Sequence, residues 1–396
     1  MFRIGHVTQP YAWGSHQAIH GLLGLPPGGV VAEAWFGAHP AAPSPVLDGS
    51  GSTLDAVLST EPDAMVGQDV QARFGTGLPY LLKIIAAERP LSLQVHPHVE
   101  RAGEGYDEED RAGIPLDAPH RNYRDRNHKP ELVFALTTFE AVSGFRAPRR
   151  AAELLGGLDA PLARTLHAHL VQNPGPEGIE RAFTALLSPE TRPTPEAVEE
   201  VAVACTARLR DGSPSPRADR TVALLAREYP GDPGVVTSLL LNPVTLQPGD
   251  AMFVPAGGVH AYLSGTGIEL MASSDNVLRA GLTPKHIDVP ELLRNVDYVA
   301  APPIRIAPET FHGSTKVYYA PVDDFELSVT DVVDDGEHPL PGRGPRVLLC
   351  LEGELKVQSS GGDALALSGG QAAFVPPCDG TLRVRGRGRL VQADVP

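Results

Sequence analysis

Short apolar or alternating runs bounded by Gly, Pro or polar clusters recur through the first third of the chain. They are Trp35-Phe36-Gly37-Ala38, Tyr80 to Ile85, Leu91 to His96 and Leu132 to Leu136. This is the pattern of β-strands. From about Glu100 to Asn127 the chain turns polar, with Glu104, Asp107, Glu108, Glu109, Asp110 and several arginines; it predicts an exposed insertion holding one short helix. From Pro148 to about Leu241 the texture becomes Ala/Leu/Glu/Arg runs with helical spacing, such as Ala151 to Leu155 and Pro195 to Ala202, with Ser215-Pro216 and Asp232-Pro233 as helix starts. Strand-and-turn patterning returns from Leu246, apart from a short helix predicted near Val289 to Leu293.

The two β regions echo each other. Leu246 to Ala256 (LQPGDAMFVPA) matches Leu367 to Pro377 (LSGGQAAFVPP) in register. Two related β units of the double-sheet barrel kind, which solve the exposed-edge problem by folding sheets together, are therefore expected. The predicted class is mainly β with an α-helical insertion. Its units are residues 1–147 with 242–300, a helical domain at 148–241, and a C-terminal barrel at 301–396.

Composition narrows the function. With 33 basic and 48 acidic residues the net charge is −15, which disfavours nucleic acid as a partner, since phosphate neutralisation needs a basic face. Hydrophobic residues at 42% and charged residues at 20% describe an ordinary globular chain. The three cysteines have no CxxC spacing, so neither a disulfide framework nor a Cys-type zinc site is indicated. Without a leader-like start or an apolar run of membrane length, the expectation is a cytoplasmic protein with no membrane span. Only five lysines occur, at 83, 129, 285, 316 and 356, so each lysine is a candidate for a specific role.

Chemistry concentrates in three segments. Gln94-Val95-His96 alternates, so the amide and imidazole project from one strand face. Asn127-His-Lys129-Pro-Glu131 puts a carboxylate at the start of the next apolar strand, and His260 ends Gly249-x5-Pro255-x-Gly257-x2-His260. That last spacing resembles the second characteristic motif of the cupin superfamily, which implies jelly-roll barrels with a metal inside. Gln94, His96, Glu131 and His260 form an N/O donor set suited to Zn2+, with Mn2+, Fe2+ or Co2+ allowed by the same logic; otherwise they are buried polar groups satisfied by backbone. His98 is expected in the outer shell, and His39, His120 and His128 as surface or hydrogen-bonding residues. The second copy continues Pro377-Cys378-Asp379-Gly380 with no histidine, so the C-terminal barrel is expected to be metal-free.

Beyond His260, the run Ala261 to Lys285 resembles type I mannose-6-phosphate isomerases (phosphomannose isomerases). So do Tyr11 to Ser15, Glu33 to Pro40, Pro90 to Pro97 and Asn127 to Glu131. The resemblance spans roughly residues 8 to 295 in the family's order; Trp35-Phe36, where many members have Trp-Met, and a short C-terminal region depart from it. It implies interconversion of mannose 6-phosphate and fructose 6-phosphate, one zinc held by Gln94, His96, Glu131 and His260, and a catalytic role for Arg279.

Residue chemistry agrees. Aldose-ketose isomerisation through an enediol needs an acid/base group and positive charge for the developing oxyanion. Glu269, on an apolar strand, is the candidate base, or else a strand carboxylate paired with Arg or Lys. Lys129 is placed for proton shuttling or oxyanion contact. Arg279 and Lys285 suit enediolate or phosphate, with structural ion pairs as the alternative. Ser92 and Trp13 are weaker substrate contacts. No dinucleotide or phosphate-loop fingerprint occurs, so no nucleotide cofactor is expected, and the partner is a small-molecule sugar phosphate bound by a monomer. An iron-dependent cupin oxygenase and a non-catalytic sugar-phosphate sensor are the rival readings.

Overall fold

The computed structural model of the protein describes residues 1–334 and 336–396. Among these residues the strands form two antiparallel sheets, of eleven and nine strands. The larger runs in the order Ile304–Ile306, Ala251–Val254, Glu131–Ala135, His260–Ala272, Tyr80–Ala87, Glu33–Phe36 and Val7–Gln9. The strand His260–Ala272 is long enough to serve two layers. Its second half pairs Tyr80–Ala87 and Glu131–Ala135, whereas its first half pairs Phe139–Phe145 and meets Gln94. The fold-over needs Gly265, at φ +122, where a Cβ would stand 2.7 Å from the Thr138 carbonyl oxygen.

Side-chain parity explains why these strands read as nearly continuous apolar runs. On Tyr80–Ala87, residues Tyr80, Leu82, Ile84 and Ala86 pack with Val347, Leu349 and Phe374 of the second sheet. Lys83 and Ile85 face the other way, toward the facing layer of strands, where both line a cavity. On the far layer Leu93, Val95, Ala261, Leu263, Leu278 and Ala280 pack against the helices. Gln94, His260, Tyr262 and Arg279, their sequence neighbours, are turned to that cavity. Every strand bearing a site residue is thus covered on its outer face by sheet or helix.

The helical stretch consists of Pro148–Gly156, Pro161–Gln172, Pro176–Leu187, Pro195–Asp211 and Pro216–Glu228, closed by short turns at Gly234–Thr237 and Ser238–Leu240. Each of the five opens with proline, whose fixed φ and missing N–H suit the first helical position; Thr194 adds a side-chain cap to Ala197 N. The polar insertion carries one helix, Val99–Arg111, at 13 residues longer than expected.

Two strands cross the expected unit boundaries. Phe2–Ile4 pairs Ala372–Val375 in the second sheet, and Ile304–Ile306 pairs Ala251–Val254 in the first. Divisions at residues 1 and 301 are therefore not sheet boundaries, because each sheet takes a short strand from the other expected unit. Such an exchange is invisible to local pattern, since three-residue strands carry almost no periodic signal. No helix is long and apolar enough to cross a membrane among the described residues.

Candidate metal centre and sugar-phosphate pocket

Cross-strand register assembles the site. Arg279, Gln94 and His260 are successive partners across three strands of one layer. In the facing layer Trp35, Lys83, Glu269 and Val133 form a second row, and Glu131 lies two residues from Val133 on the same face. Nine of the ten residues expected from the sequence line one cavity of about 400 Å³: Trp13, Ser92, Gln94, Lys129, Glu131, His260, Glu269, Arg279 and Lys285. The tenth, His96, is fully buried behind it.

His96, Glu131 and His260 converge, with His96 Nε2 at 3.1 Å from Glu131 Oε1 and His260 Nε2 at 3.4 Å from Oε2. Each imidazole donates Nδ1–H to a backbone carbonyl, His96 to Asn276 O at 2.8 Å and His260 to Gly258 O at 3.0 Å. Those bonds fix the tautomer and leave both Nε2 atoms as bare lone pairs. Burial pulls the His96 imidazolium down to about 4, so it is neutral at pH 7. Burial alone would raise Glu131, but the attraction of the groups around it, the Lys129 charge among them, outweighs burial and holds the carboxyl well below its usual range.

Three acceptors therefore face one another with no hydrogen between them, and His96 Nε2 is sealed from water without a hydrogen bond. A cation resolves this repulsion. Donors about 2.05 Å from a tetrahedral ion stand about 3.3 Å apart, a spacing that the observed 3.1 and 3.4 Å bracket. The donor set and spacing fit zinc. Gln94, the cross-strand neighbour of His260, donates Nε2–H to Ser92 Oγ at 3.3 Å, leaving its amide oxygen as the available fourth donor.

Beside this group lies a buried ion cluster. Lys83 Nζ donates to Glu269 Oε2 at 3.0 Å, stands 3.9 Å from Glu33 and sits 5.1 Å from the Trp35 ring centre. Glu33 in turn accepts from Trp35 Nε1 at 2.6 Å. Burial lifts the Glu269 carboxyl above the ordinary range against the pull of Lys83. Lys129 Nζ is 3.5 Å from Glu131, and Tyr262 Oη donates to Glu131 Oε2 at 3.2 Å. At the open end Arg279 and Lys285 carry no carboxylate partner among the described residues; both are lowered by burial first, and the positive charge of Arg124 adds to it.

Sequence reasoning passed over Lys83, Glu33, Tyr262 and Asn276. Lys83 did carry a signal, as the one charge in an eight-residue apolar strand and one of only five lysines. Asn276 carried none. It is fully buried and ties the loop 124–127 to the site: its Oδ1 accepts from Arg124 N, and its Nδ2 donates to the carbonyls of Asp125 and Asn127. His98 does not join an outer shell, since Pro97 ends the strand and His98 pairs with Asp297 at 3.2 Å on the surface. His128 bonds Asp324 at 3.1 Å, and His39, buried edge-on against Trp35, accepts from Ala41 N at 3.3 Å, so both are hydrogen-bonding residues as expected.

Comparison with known proteins gives the same picture from outside. The sequence model of the phosphomannose isomerase type I catalytic domain matches residues 1–148. Mannose-6-phosphate isomerase of Escherichia coli is 39% identical over 397 residues, covering 99% of each chain; that of Rattus norvegicus is 32% identical over 84% of this chain and 82% of its own. Among solved structures, mannose 6-phosphate isomerase from Salmonella typhimurium, bound to substrate and a zinc atom, superposes with a TM-score of 0.89 at 38% identity, covering 100% of this chain and 99% of that one. Such identity along the whole length, joined to a histidine-carboxylate cluster between two layers of antiparallel strands, places this chain in the type I phosphomannose isomerase family.

Proposed function

We propose that this protein interconverts mannose 6-phosphate and fructose 6-phosphate as a zinc-dependent isomerase. The observation that carries the reading is the His96–Glu131–His260 cluster, whose bare Nε2 atoms and ionised carboxylate call for a cation at the floor of a cavity with a cationic mouth. Gln94, His96, Glu131 and His260 would hold the metal. When bound, zinc supplies a Lewis acid for the sugar oxygens.

The remaining chemistry belongs to side chains. Arg279 and Lys285 take the phosphate or enediolate, their charges uncompensated within the protein and therefore available to an anion. Glu269 removes the proton from C2 of the aldose and returns it at C1 through the enediol, while the O2 hydroxyl proton passes to O1 so that C1 becomes the alcohol and C2 the ketone; its raised carboxyl is matched to the carbon-bound exchange. Lys83 holds this carboxylate in place through the 3.0 Å hydrogen bond. Lys129 neutralises charge developing on the sugar oxygens, and Ser92 and Trp13 line the wall against the substrate. An acidic protein, net −15, thus concentrates positive charge where its substrate is anionic.

We read the first barrel as a cupin-type jelly roll, residues 148–241 as its inserted helical domain, and the second barrel as a metal-free relative. Support comes from the echoed strands Ala251–Val254 and Ala372–Val375. After the second, the chain makes a short turn at Pro377–Asp379 and has no histidine to match His260. The same reading makes it a cytoplasmic monomer. To test the function, fructose 6-phosphate formation from mannose 6-phosphate is followed while dissolved oxygen is recorded. Isomerisation without oxygen uptake is expected; oxygen uptake with no isomerisation, or substrate binding with no turnover, overturns it.

A further inference from the structure

The strand Leu278–Gly281, which carries Arg279, ends in a left-handed turn made by a buried residue. Leu282 has φ +56 and is 1% exposed. A non-glycine side chain in that region is strained and persists only where its surroundings hold it; the other such residue among those described, His312, is exposed. The next three residues, Thr283, Pro284 and Lys285, line the cavity over His260. They also line a second cavity of about 450 Å³, bounded across from them by Arg192 and Pro233 of the helical stretch. The loop presenting Lys285 is therefore a thin wall between two open spaces, and its place is set by its anchor rather than by packing along its length.

That anchor is Asp232. The sequence marks Asp232-Pro233 as a helix start, and Asp232 Oδ1 does accept the Gly234 amide at 2.7 Å. Its other oxygen leaves the helical stretch altogether: Oδ2 accepts the Thr283 amide at 3.4 Å. Thr283 Oγ1 in turn accepts the Lys285 amide at 3.1 Å, so a chain of hydrogen bonds runs from Asp232 to the backbone of Lys285. Two glycines let the segments meet this closely. A Cβ on Gly281, at φ +132, would stand 3.0 Å from Asp232 Oδ1, and one on Gly234 would stand 2.8 Å from Leu282 Cγ. Leu282 is thus seated over Gly234, which holds its turn in the left-handed region.

We propose that Asp232 is a positioning residue for the substrate: through Thr283 and the Leu282 turn it holds the Lys285 loop at the cavity mouth and so sets the affinity for the phosphate end of the sugar, given that Lys285 takes the phosphate as proposed above. Asp232 does not line the cavity over His260 and acts only through the loop. The sign of its effect separates this role from plain electrostatics. A carboxylate near an anion site opposes binding by its charge, so removing that charge alone would tighten binding, whereas releasing the loop weakens it.

Steady-state kinetics with mannose 6-phosphate on the zinc-loaded full chain compares the parent, Asp232→Asn, Lys285→Ala and the double variant. Asp232→Asn should raise KM about fivefold, the worth of one hydrogen bond, with zinc content unchanged and kcat within about twofold of the parent. Added to Lys285→Ala it should change KM little, because the two residues act as one unit. Amide exchange at residues 281–287 should quicken in Asp232→Asn while the strand His260–Ala272 keeps its protection. Thr283→Ala, which breaks the next link and leaves the Gly234 turn alone, should shift KM in the same direction. A KM that Asp232→Asn lowers or leaves unchanged, a full rise that persists in the Lys285→Ala background, or an unchanged KM in Thr283→Ala overturns the proposal. Lys285→Ala with the parent's KM overturns the reading of Lys285 as a phosphate ligand, and the role of Asp232 with it.

Discussion

Replacing Lys83 by methionine keeps the length and apolar stem of the side chain but removes the charge that two buried carboxylates share. Glu269, 3.0 Å away, then has no cation in contact, and Glu33, at 3.9 Å, keeps only its bond from Trp35. Breaking a buried pair from one side costs about 3–5 kcal/mol, so Lys83→Met should destabilise the larger sheet by about 4 kcal/mol. Of the chain's two tryptophans, Trp35 packs on Lys83 and Trp13 lines the same cavity, so urea unfolding followed by fluorescence reports this region. With a slope of about 2.5 kcal/mol per M, the midpoint falls by about 1.5 M. The pH dependence gives a second signature. Lys83 is raised above its unfolded value, so its contribution is fully present below the unfolded lysine value and is lost only in strong alkali, leaving the neutral range flat. In the variant Glu269, already raised by burial, rises further; stability then increases as pH falls toward its folded value, and the deficit at pH 8 shrinks by pH 5. Adding Glu269→Gln should recover about 2 kcal/mol or more, a coupling that contacting residues show and distant ones do not. A Lys83→Met protein within about 1 kcal/mol of the parent, or a deficit independent of pH, refutes the buried ion cluster as described.

Asn276→Ala touches no metal ligand, yet it should weaken zinc affinity about 10–100-fold in chelator competition, because the 124–127 loop and the carbonyl orienting His96 lose their anchor. Arg279→Ala should keep its metal and lose about 10²–10³ in kcat, while Lys285→Ala should raise the KM for mannose 6-phosphate about tenfold; steady-state kinetics on metal-analysed samples distinguish the two. Gly265→Ala, at φ +122 against the Thr138 carbonyl, should cost about 2–3 kcal/mol in urea unfolding. His96 lies near 4 in the folded chain against 6.5 ordinarily, so the unfolded state binds the extra proton. The metal-free protein should therefore lose up to about 3 kcal/mol as pH falls through that window, which a thermal-melt series across pH measures.

The pattern of the chain carried the architecture where elements are long and the site where residue spacing is rigid. The helical stretch from Pro148, with its runs at Ala151 to Leu155 and Pro195 to Ala202 and its start at Ser215-Pro216, and the alternation that aims Gln94 and His96 alike, follow from local rules alone. His260 was legible because its Gly/Pro frame permits only a sharp turn before the ring. Lys83 and Glu33 were not, since their meaning depends on which strand lies alongside, and register is a property of the assembled sheet. Phe2–Ile4 and Ile304–Ile306 joined the other sheet for a related reason: a three-residue strand joins whichever edge is unpaired nearby. Asn276 escaped because its task is to satisfy loop carbonyls that exist only once the loop has folded. The choice between Glu269 as a base and as a paired strand carboxylate turns out not to be exclusive, for it lines the cavity and binds Lys83 at once.

The most direct test titrates zinc into chelator-stripped protein, recording bound metal and isomerase rate on the same samples for the parent and His260→Ala. In the parent, rate should climb in proportion to bound zinc and level off at one ion per chain, whereas His260→Ala should hold little metal and show little rate. Full turnover in the stripped parent, or His260→Ala that binds zinc and isomerises like the parent, would contradict the account.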